Sequence, residues 1–298
     1  MALLAQKLAE NVPGEFYVDS TCIDCDLCRQ IAPALYARSD REQQSYVRRQ
    51  PTDGAETHRA LMALVACPTA SIGTVHKISA FAAARAFPEP VEGDVFFCGY
   101  AAESSFGASS YFIRRPKGNV LVDSPRAAGP LMQRLEQQGG VRWMFLSHRD
   151  DVAEHRAYAQ RFGCERILHR HDVSGATADV ERIIDGEGPL RLDDDLLIIP
   201  VPGHTRGSMA LLYRDEFLFT GDHLWANDEQ DALEMSRSVC WYSWREQVKS
   251  LEKLLAFRFR WVLPGHGRRF HAETPEKMRD AIGALLADVA VQNDARWR

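Results

Sequence analysis

Short apolar runs, each closed by glycine, proline or a charge, set the rhythm of most of this chain. "VFFCGY", "SSYFIRR" and "NVLVDS" read as successive strands, because four to seven β-branched and aromatic-rich residues between polar breaks suit a pleated, half-buried surface. The apolar spacing changes to helical in "AGPLMQRLEQQ", which ends at Gly139-Gly140. "VRWMFLS" is a buried strand, and "DDVAEHRAYAQRFG" a helix opened by acids and stopped by Gly163. "DLLIIPV", "MALLYR" and "FLFTGD" are further strands. "SWREQVKSLEKLLAF" is an amphipathic helix, "RWVLPG" a last strand and "PEKMRDAIGALLADVAV" a closing helix. Hairpins mixed with intervening helices predict an α/β (α+β) chain, with helices packed outside sheets.

The rhythm breaks once. In "FAAARAFPEPVEGD" an Ala-rich helical run meets Pro88-Glu89-Pro90, which cannot continue a helix. A boundary at about residue 90 predicts two domains, 1–90 and 91–298. The 298 residues suffice for a sizeable core in either arrangement. A net charge of −5 argues against nucleic acid as a partner, since a binder carries a basic face. No apolar run approaches the roughly 18–20 residues of a membrane span. The start "MALLAQKLAENVPGEF" does not read as a signal peptide, so a cytoplasmic protein without membrane attachment is the expectation.

Seven cysteines change the picture. Cys98, Cys164 and Cys240 are scattered and read as buried thiols, but Cys22, Cys25 and Cys28 form C-x2-C-x2-C, and Cys67-Pro68 follows. Thiolates at that spacing wrap one face of an iron–sulfur cube, a distant cysteine closes the fourth corner, and proline commonly follows it. Structural zinc is the alternative, although zinc knuckles pair two separated C-x2-C units. Residues 15 to 75, including "APALY" and "CPTASI", resemble the single-cluster bacterial ferredoxins. That resemblance implies one [4Fe–4S] cluster on Cys22, Cys25, Cys28 and Cys67, an electron-carrying role and a redox partner protein.

A second set of chemistry-bearing residues lies downstream. "LSHRDDVAEH" packs histidines and acids behind an apolar run, while His204 stands in "PGHTRGS", Asp222 in "FTGDH" and His266 in "LPGHG". Strand ends expose side chains to a shared cleft, and glycine permits close backbone approach. A lone histidine is usually structural or on the surface, which is the reading for His58, His76, His169, His171 and His271. Three strand-end histidines with an aspartate in glycine turns are a candidate metal site.

The order "SSYFI", "NVLVDSP", "FLSH", "PVPGHTRGSMALL", "FLFTGDHLW", "WVLPGHG" resembles the metallo-β-lactamase superfamily, closest to its glyoxalase II-like branch. The resemblance covers nearly all of residues 93 to 270 and implies an αββα sandwich with metals at one edge of the two sheets. It implies metal ligands at His148, His204, Asp222 (bridging two metals) and His266, with Asp123 supporting the site from outside. "HRDDVAEH" departs from the family's H-x-H-x-D-H. Ungapped, Asp150 takes the place of the second histidine, and Val152-Ala153 replace Asp-His. With two residues deleted after Arg149, the reading preferred here, "DDVA" stands for Asp-His-apolar-Gly, and Asp151 is a ligand too. His155, four residues after Asp151 on one helical face, is a further candidate.

Two enzyme functions follow, with one or two iron or zinc ions as cofactors. In the first, a metal lowers the pKa of water, and the resulting hydroxide attacks a thioester, ester or lactone of a small-molecule substrate, with Asp150 or Asp222 orienting it. In the second, the cluster feeds electrons to a non-haem iron or di-iron site. The set His148, His204, Asp222 is the two-histidine, one-carboxylate pattern of non-haem iron. It resembles that of the superfamily's persulfide dioxygenases, and flavodiiron proteins are a redox precedent on this fold. A redox-responsive binding protein is the non-enzymatic alternative. His223, Trp225, Trp241, Tyr242 and Trp244 line the pocket or belong to the core. No nucleophile elbow, phosphate loop or dinucleotide fingerprint is present.

Overall fold

The computed structural model of the chain describes residues 2–295. They form two compact units, residues 2–144 with 153–164, and residues 145–152 with 165–295.

In the first unit, Phe16–Val18 pairs antiparallel with Ile72–Thr74, and Tyr36–Ser39 forms a hairpin with Gln44–Val47. The helix Gly54–Ala66 starts where Asp53 accepts a 2.8 Å hydrogen bond from the Glu56 N–H, the cap that satisfies an orphan donor of the first turn. It ends at Cys67 and so delivers the last of the four clustered cysteines. Its C-terminal carbonyls are taken by later residues: the Ala101 N–H donates to Ala66 at 3.2 Å, and Arg126 to Val65 at 2.9 Å. The strands Glu89–Glu92, Val95–Phe97, Tyr111–Ile113 and Val120–Val122 run antiparallel in that order in the same unit. Packing within this unit therefore continues past residue 90.

In the second unit, Leu190–Asp193, Leu196–Pro200, Met209–Tyr213 and Phe217–Gly221 form an antiparallel meander. Phe217–Gly221 then pairs parallel with Trp261–Pro264, which pairs antiparallel with Phe270–His271. A parallel neighbour needs a crossover, and the helix Trp244–Leu254 supplies it. Leu251 and Leu254 of that helix, with Met278 and Ile282 of the closing helix Pro275–Ala295, pack on Ile199, Leu212 and Val262. Each fully buried aliphatic side chain contributes about 1.5–3 kcal/mol to folding.

Two helices differ from the sequence reading. The one expected over "DDVAEHRAYAQRFG" begins only at His155 and runs to Phe162, with Gly163 at φ 63° as its stop. Asp150 and Asp151 precede it in a loop, so Asp151 and His155 are not one helical turn apart and the reach argued from that spacing lapses. The Ala-rich run is a single turn, Phe81–Ala84, followed by the strand Glu89–Glu92. Short strands at Glu165–His169 and Arg182–Ile184 were not legible from the pattern. No helix among the described residues is long and apolar enough to cross a membrane.

Candidate metal centre and cysteine cradle

In the first unit, Cys22, Cys25, Cys28 and Cys67 line one cavity with Val18, Leu27 and Ile72. Asp24 and Asp26, at φ 58° and 66°, turn the loop so that its three cysteines face inward. Backbone N–H groups aim at the sulfurs: Ser45 at Cys22 (3.4 Å), Ser71 at Cys67 (3.3 Å), Asp24 at Cys22 and Leu27 at Cys25. Burial pushes the Cys25 thiol up to about 12 and Cys28 well above its ordinary value. Four convergent sulfurs, with N–H donors aimed at three of them, are arranged for thiolates around a cationic group, which fits an iron–sulfur cluster.

The second unit brings six downstream residues together. His148 follows a buried strand that ends at Phe145, and Asp150 and Asp151 follow in the loop. His204 lies between Leu196–Pro200 and Met209–Tyr213; Asp222 follows Phe217–Gly221; His266 follows Trp261–Pro264. His148, Asp150 and His204 form one group of convergent ligand atoms, and His148, Asp151 and Asp222 another. Asp150 Oδ2 is 3.9 Å from His148 Nε2 and 3.4 Å from His204 Nε2. Asp222 Oδ2 lies between the groups, 3.7 Å from His148 and His204 and 3.8 Å from His266. His266 Nε2 is 3.7 Å from Asp151 Oδ1. Asp150 thus sits in the first group, as the ungapped alignment has it. Asp151 sits in the second, as only the deletion alignment has it.

The donor set fits metal ions. His204 Nδ1 is 2.5 Å from the Val239 carbonyl, which can only accept, so the proton sits on Nδ1 and Nε2 turns its lone pair to the centre. His148 Nδ1 is 2.9 Å from Ser147 Oγ. The Nε2 atoms of both histidines, Asp151 Oδ2 and Asp222 Oδ1 are buried without a hydrogen-bond partner among the described residues. Without a metal the charges compensate one another. The His204 ring, 3.4 Å from Asp150, holds its carboxyl below the usual carboxylate range. Burial pulls Asp151 up, but the His148 and His266 rings outweigh it and its pKa is lowered. Burial pulls His204 down, and Asp150 and Asp222 more than reverse it. Gly265 is required here: a Cβ would stand 2.7 Å from Asp151 Oδ2 and 2.8 Å from Asp222 Oδ1.

Sequence reasoning missed Asp172. Its buried carboxylate accepts from the Arg149 N–H (3.1 Å), the Thr205 hydroxyl (2.5 Å) and the Gly207 N–H (2.9 Å). One side chain therefore ties the loop of His148 and Asp150 to the loop of His204. A Cβ on Gly207 would fall 2.6 Å from that carboxyl carbon. The available signal was an aspartate directly after the apolar run "RIL" and two histidines. Of the aromatic cluster, Trp241 is 60% exposed with its ring 5.9 Å from that of His204, so it borders the site. His223 is core: burial drives its pKa down to about 3. Asp123 is buried, at φ 57°. His76 sits on the surface against Glu15, and His271 stacks on Trp261, as ordinary histidines do.

Residues 18–74 match the family model of the 4Fe-4S single cluster domain of Ferredoxin I. The hydroxyacylglutathione hydrolase of Rhizobium etli is 27% identical over 161 residues, which cover 52% of this chain and 60% of that protein. The hydroxyacylglutathione hydrolase of Cereibacter sphaeroides is 32% identical over 139 residues, covering 42% and 51%. The chain thus spans between half and three fifths of these curated relatives. Among solved structures, the BLEG-1 B3 metallo-β-lactamase is 18% identical, covering 64% of this chain and 99% of its own, with a TM-score of 0.50.

Proposed function

We propose that this chain, similar over part of its length to hydroxyacylglutathione hydrolases, metallo-β-lactamase-like in fold and carrying a ferredoxin-type segment, is a metal-dependent hydrolase of a thioester, ester or lactone. The observation that carries the reading is the convergence of His148, Asp150, Asp151, His204, Asp222 and His266, with buried Nε2 and carboxylate oxygens turned toward a common centre. A metal bound there polarises a carbonyl and lowers the pKa of water toward neutrality. The protein's own residues do the rest. His148, Asp150, His204 and Asp222 would hold one ion, and Asp151, Asp222 and His266 a second. Asp150, its side chain 37% exposed, reaches the open side, where it orients the attacking water and takes its proton. Trp241 offers an apolar face beside His204 for the acyl part of a small substrate.

A second reading is favoured by one feature of the set. Three carboxylates meet three imidazoles, a balance that shifts preference from zinc toward iron or manganese. In that reading the cysteine-bound cluster supplies electrons to a non-haem iron site, and a redox partner protein supplies the cluster.

Metal analysis after oxygen-free purification, together with hydrolysis assays on thioester and lactone panels, tests both. Asp150→Ala should lower metal content and cut hydrolysis at least 100-fold, a loss typical of removing a ligand or base. Arg149→Ala should change neither. Unaltered metal content and turnover in Asp150→Ala would remove that residue from the site. Iron in the second unit without hydrolysis of any panel member would give the function to the redox reading.

A further inference from the structure

Arg29 is a buried cation beside the cysteine cradle, and neither the hydrolase nor the ferredoxin match accounts for it. It follows Cys28 directly in the sequence. Its guanidinium is held by Asp24 at 2.7 Å and by Asp26, and it also donates to the hydroxyl of Ser45. Ser45 is 1% exposed and lines the cradle. Its backbone N–H donates to Cys22 Sγ at 3.4 Å, and its hydroxyl bonds Cys28.

The chemistry of these groups sets the direction of every bond. A guanidinium only donates, so Ser45 Oγ must accept from Arg29. The single hydroxyl proton is then free for Cys28 Sγ, with which the side chain is hydrogen-bonded. A hydroxyl that already accepts from a cation is a more polarised donor. The charge of Arg29 also acts directly on Cys25 and Cys28, opposed by the carboxylates of Asp24 and Asp26, and the path through the hydroxyl is the part that Ser45 controls.

We propose that Arg29 and Ser45 form a positioning relay that raises the reduction potential of the group held by Cys22, Cys25, Cys28 and Cys67. The inference rests on reading that group as an iron–sulfur cluster. When one electron arrives from an external low-potential donor, no bond breaks and the sulfur cage gains one negative charge. A hydrogen bond to a ligand sulfur stabilises the more negative state, which is how such bonds set cluster potentials. Ser45 is well placed to do so, because one residue serves two of the four sulfurs and its side chain cannot turn away from Cys28 while Arg29 occupies its lone pair.

The test is a potentiometric titration of the full-length protein, purified without oxygen, with dithionite as donor and visible absorption and electron paramagnetic resonance as readouts. Ser45→Ala deletes the hydroxyl and keeps the N–H to Cys22. It should lower the midpoint potential so that the oxidised-to-reduced ratio at a fixed potential rises roughly tenfold, about 59 mV for a one-electron couple. Ser45→Thr keeps a hydroxyl on a strand position that tolerates β-branching and should hold the wild-type potential. Arg29→Gln should lower it too, and the effect of Ser45→Ala should shrink in the Arg29→Gln background, since both changes break one relay. An unshifted potential in Ser45→Ala overturns the proposal, as do additive effects in the double variant, which assign Arg29 a direct charge effect. If Ser45→Ala fails to assemble a cluster, Ser45→Thr and Arg29→Gln decide: a wild-type potential in Arg29→Gln overturns it. A wild type without sulfur-to-iron absorption overturns the cluster reading itself, a separate outcome from any shift.

Discussion

Asp172 accepts three hydrogen bonds on one buried carboxylate, and the three donors belong to the two loops that carry His148, Asp150 and His204. Removing it orphans two backbone N–H groups in a place water reaches poorly, at about 1–3 kcal/mol for each donor left unpaired, while the Thr205 hydroxyl keeps Ser208 at 2.8 Å. The larger consequence concerns ligand placement, since groups that orient metal ligands typically cost 10–100-fold in metal affinity when lost. Asp172→Ala should therefore bind zinc or iron at least tenfold more weakly than wild type in a competition assay with a chromophoric chelator. Asp172→Asn, with one acceptor oxygen in place of two, should fall between them. Wild-type affinity in Asp172→Ala would reduce the residue to a turn former.

At the scale of elements, the strand Arg182–Ile184 depends on an ion pair. It pairs parallel with Glu165–His169, and Glu181 just before it clasps Arg166. The Arg166 N–H and Nε donate to Glu181 Oε2 at 2.8 and 3.0 Å, and Nη2 to Oε1 at 2.7 Å. The arginine side chain is only 4% exposed, so loss of Glu181 leaves a buried cation with Asp179 as its remaining carboxylate. The glutamate is 42% exposed, which discounts the charge by solvent screening. Glu181→Gln should cost about 1–2 kcal/mol in urea unfolding. Burial raises the pKa of Glu181, but the Arg166 bonds outweigh it and the folded value lies below the ordinary 4.5. A depressed folded pKa means the stabilisation is present above pH 4.5 and is lost as pH falls through the folded value. The stability gap between wild type and Glu181→Gln should accordingly close on acidification below pH 4.5. A gap independent of pH in that range would assign the effect to packing.

At the scale of the whole molecule, the two candidate centres draw on separate supports. The cysteines lie in the first unit, while the helices Trp244–Leu254 and Pro275–Ala295 and the meander they cover form a core of the second. Cys25→Ser in the full-length protein should lose the brown colour and the bound sulfide expected of wild type purified without oxygen. The metal content assigned to His148, His204, Asp222 and His266 should persist. A colourless wild type holding zinc on the cysteines would overturn this, and so would loss of both centres together.

Much of this was legible in the order of residues. C-x2-C-x2-C with Cys67-Pro68 specifies a cluster locally, because three thiols seven residues apart or less converge through loop geometry alone. Strands followed by "PGH", "TGD" and "PGH" pointed to a candidate metal site for a similar reason: β-structure projects the residue after its last rung into a cleft wherever it lies in the fold. What each of the two aspartates in "HRDD" faces was not decided by sequence, since neither alignment paired Asp150 with His148 and His204 while also giving Asp151 to His266. That division depends on how a loop turns between segments more than 50 residues apart. The same holds for Asp172 and for Ser45, whose partners are distant in the chain and carry no spacing signal. Local pattern determines which chemistry is present, because it needs only short-range geometry. Tertiary packing alone decides which buried donor meets which acceptor, because an unpaired polar group costs too much to be left where the chain happens to pass.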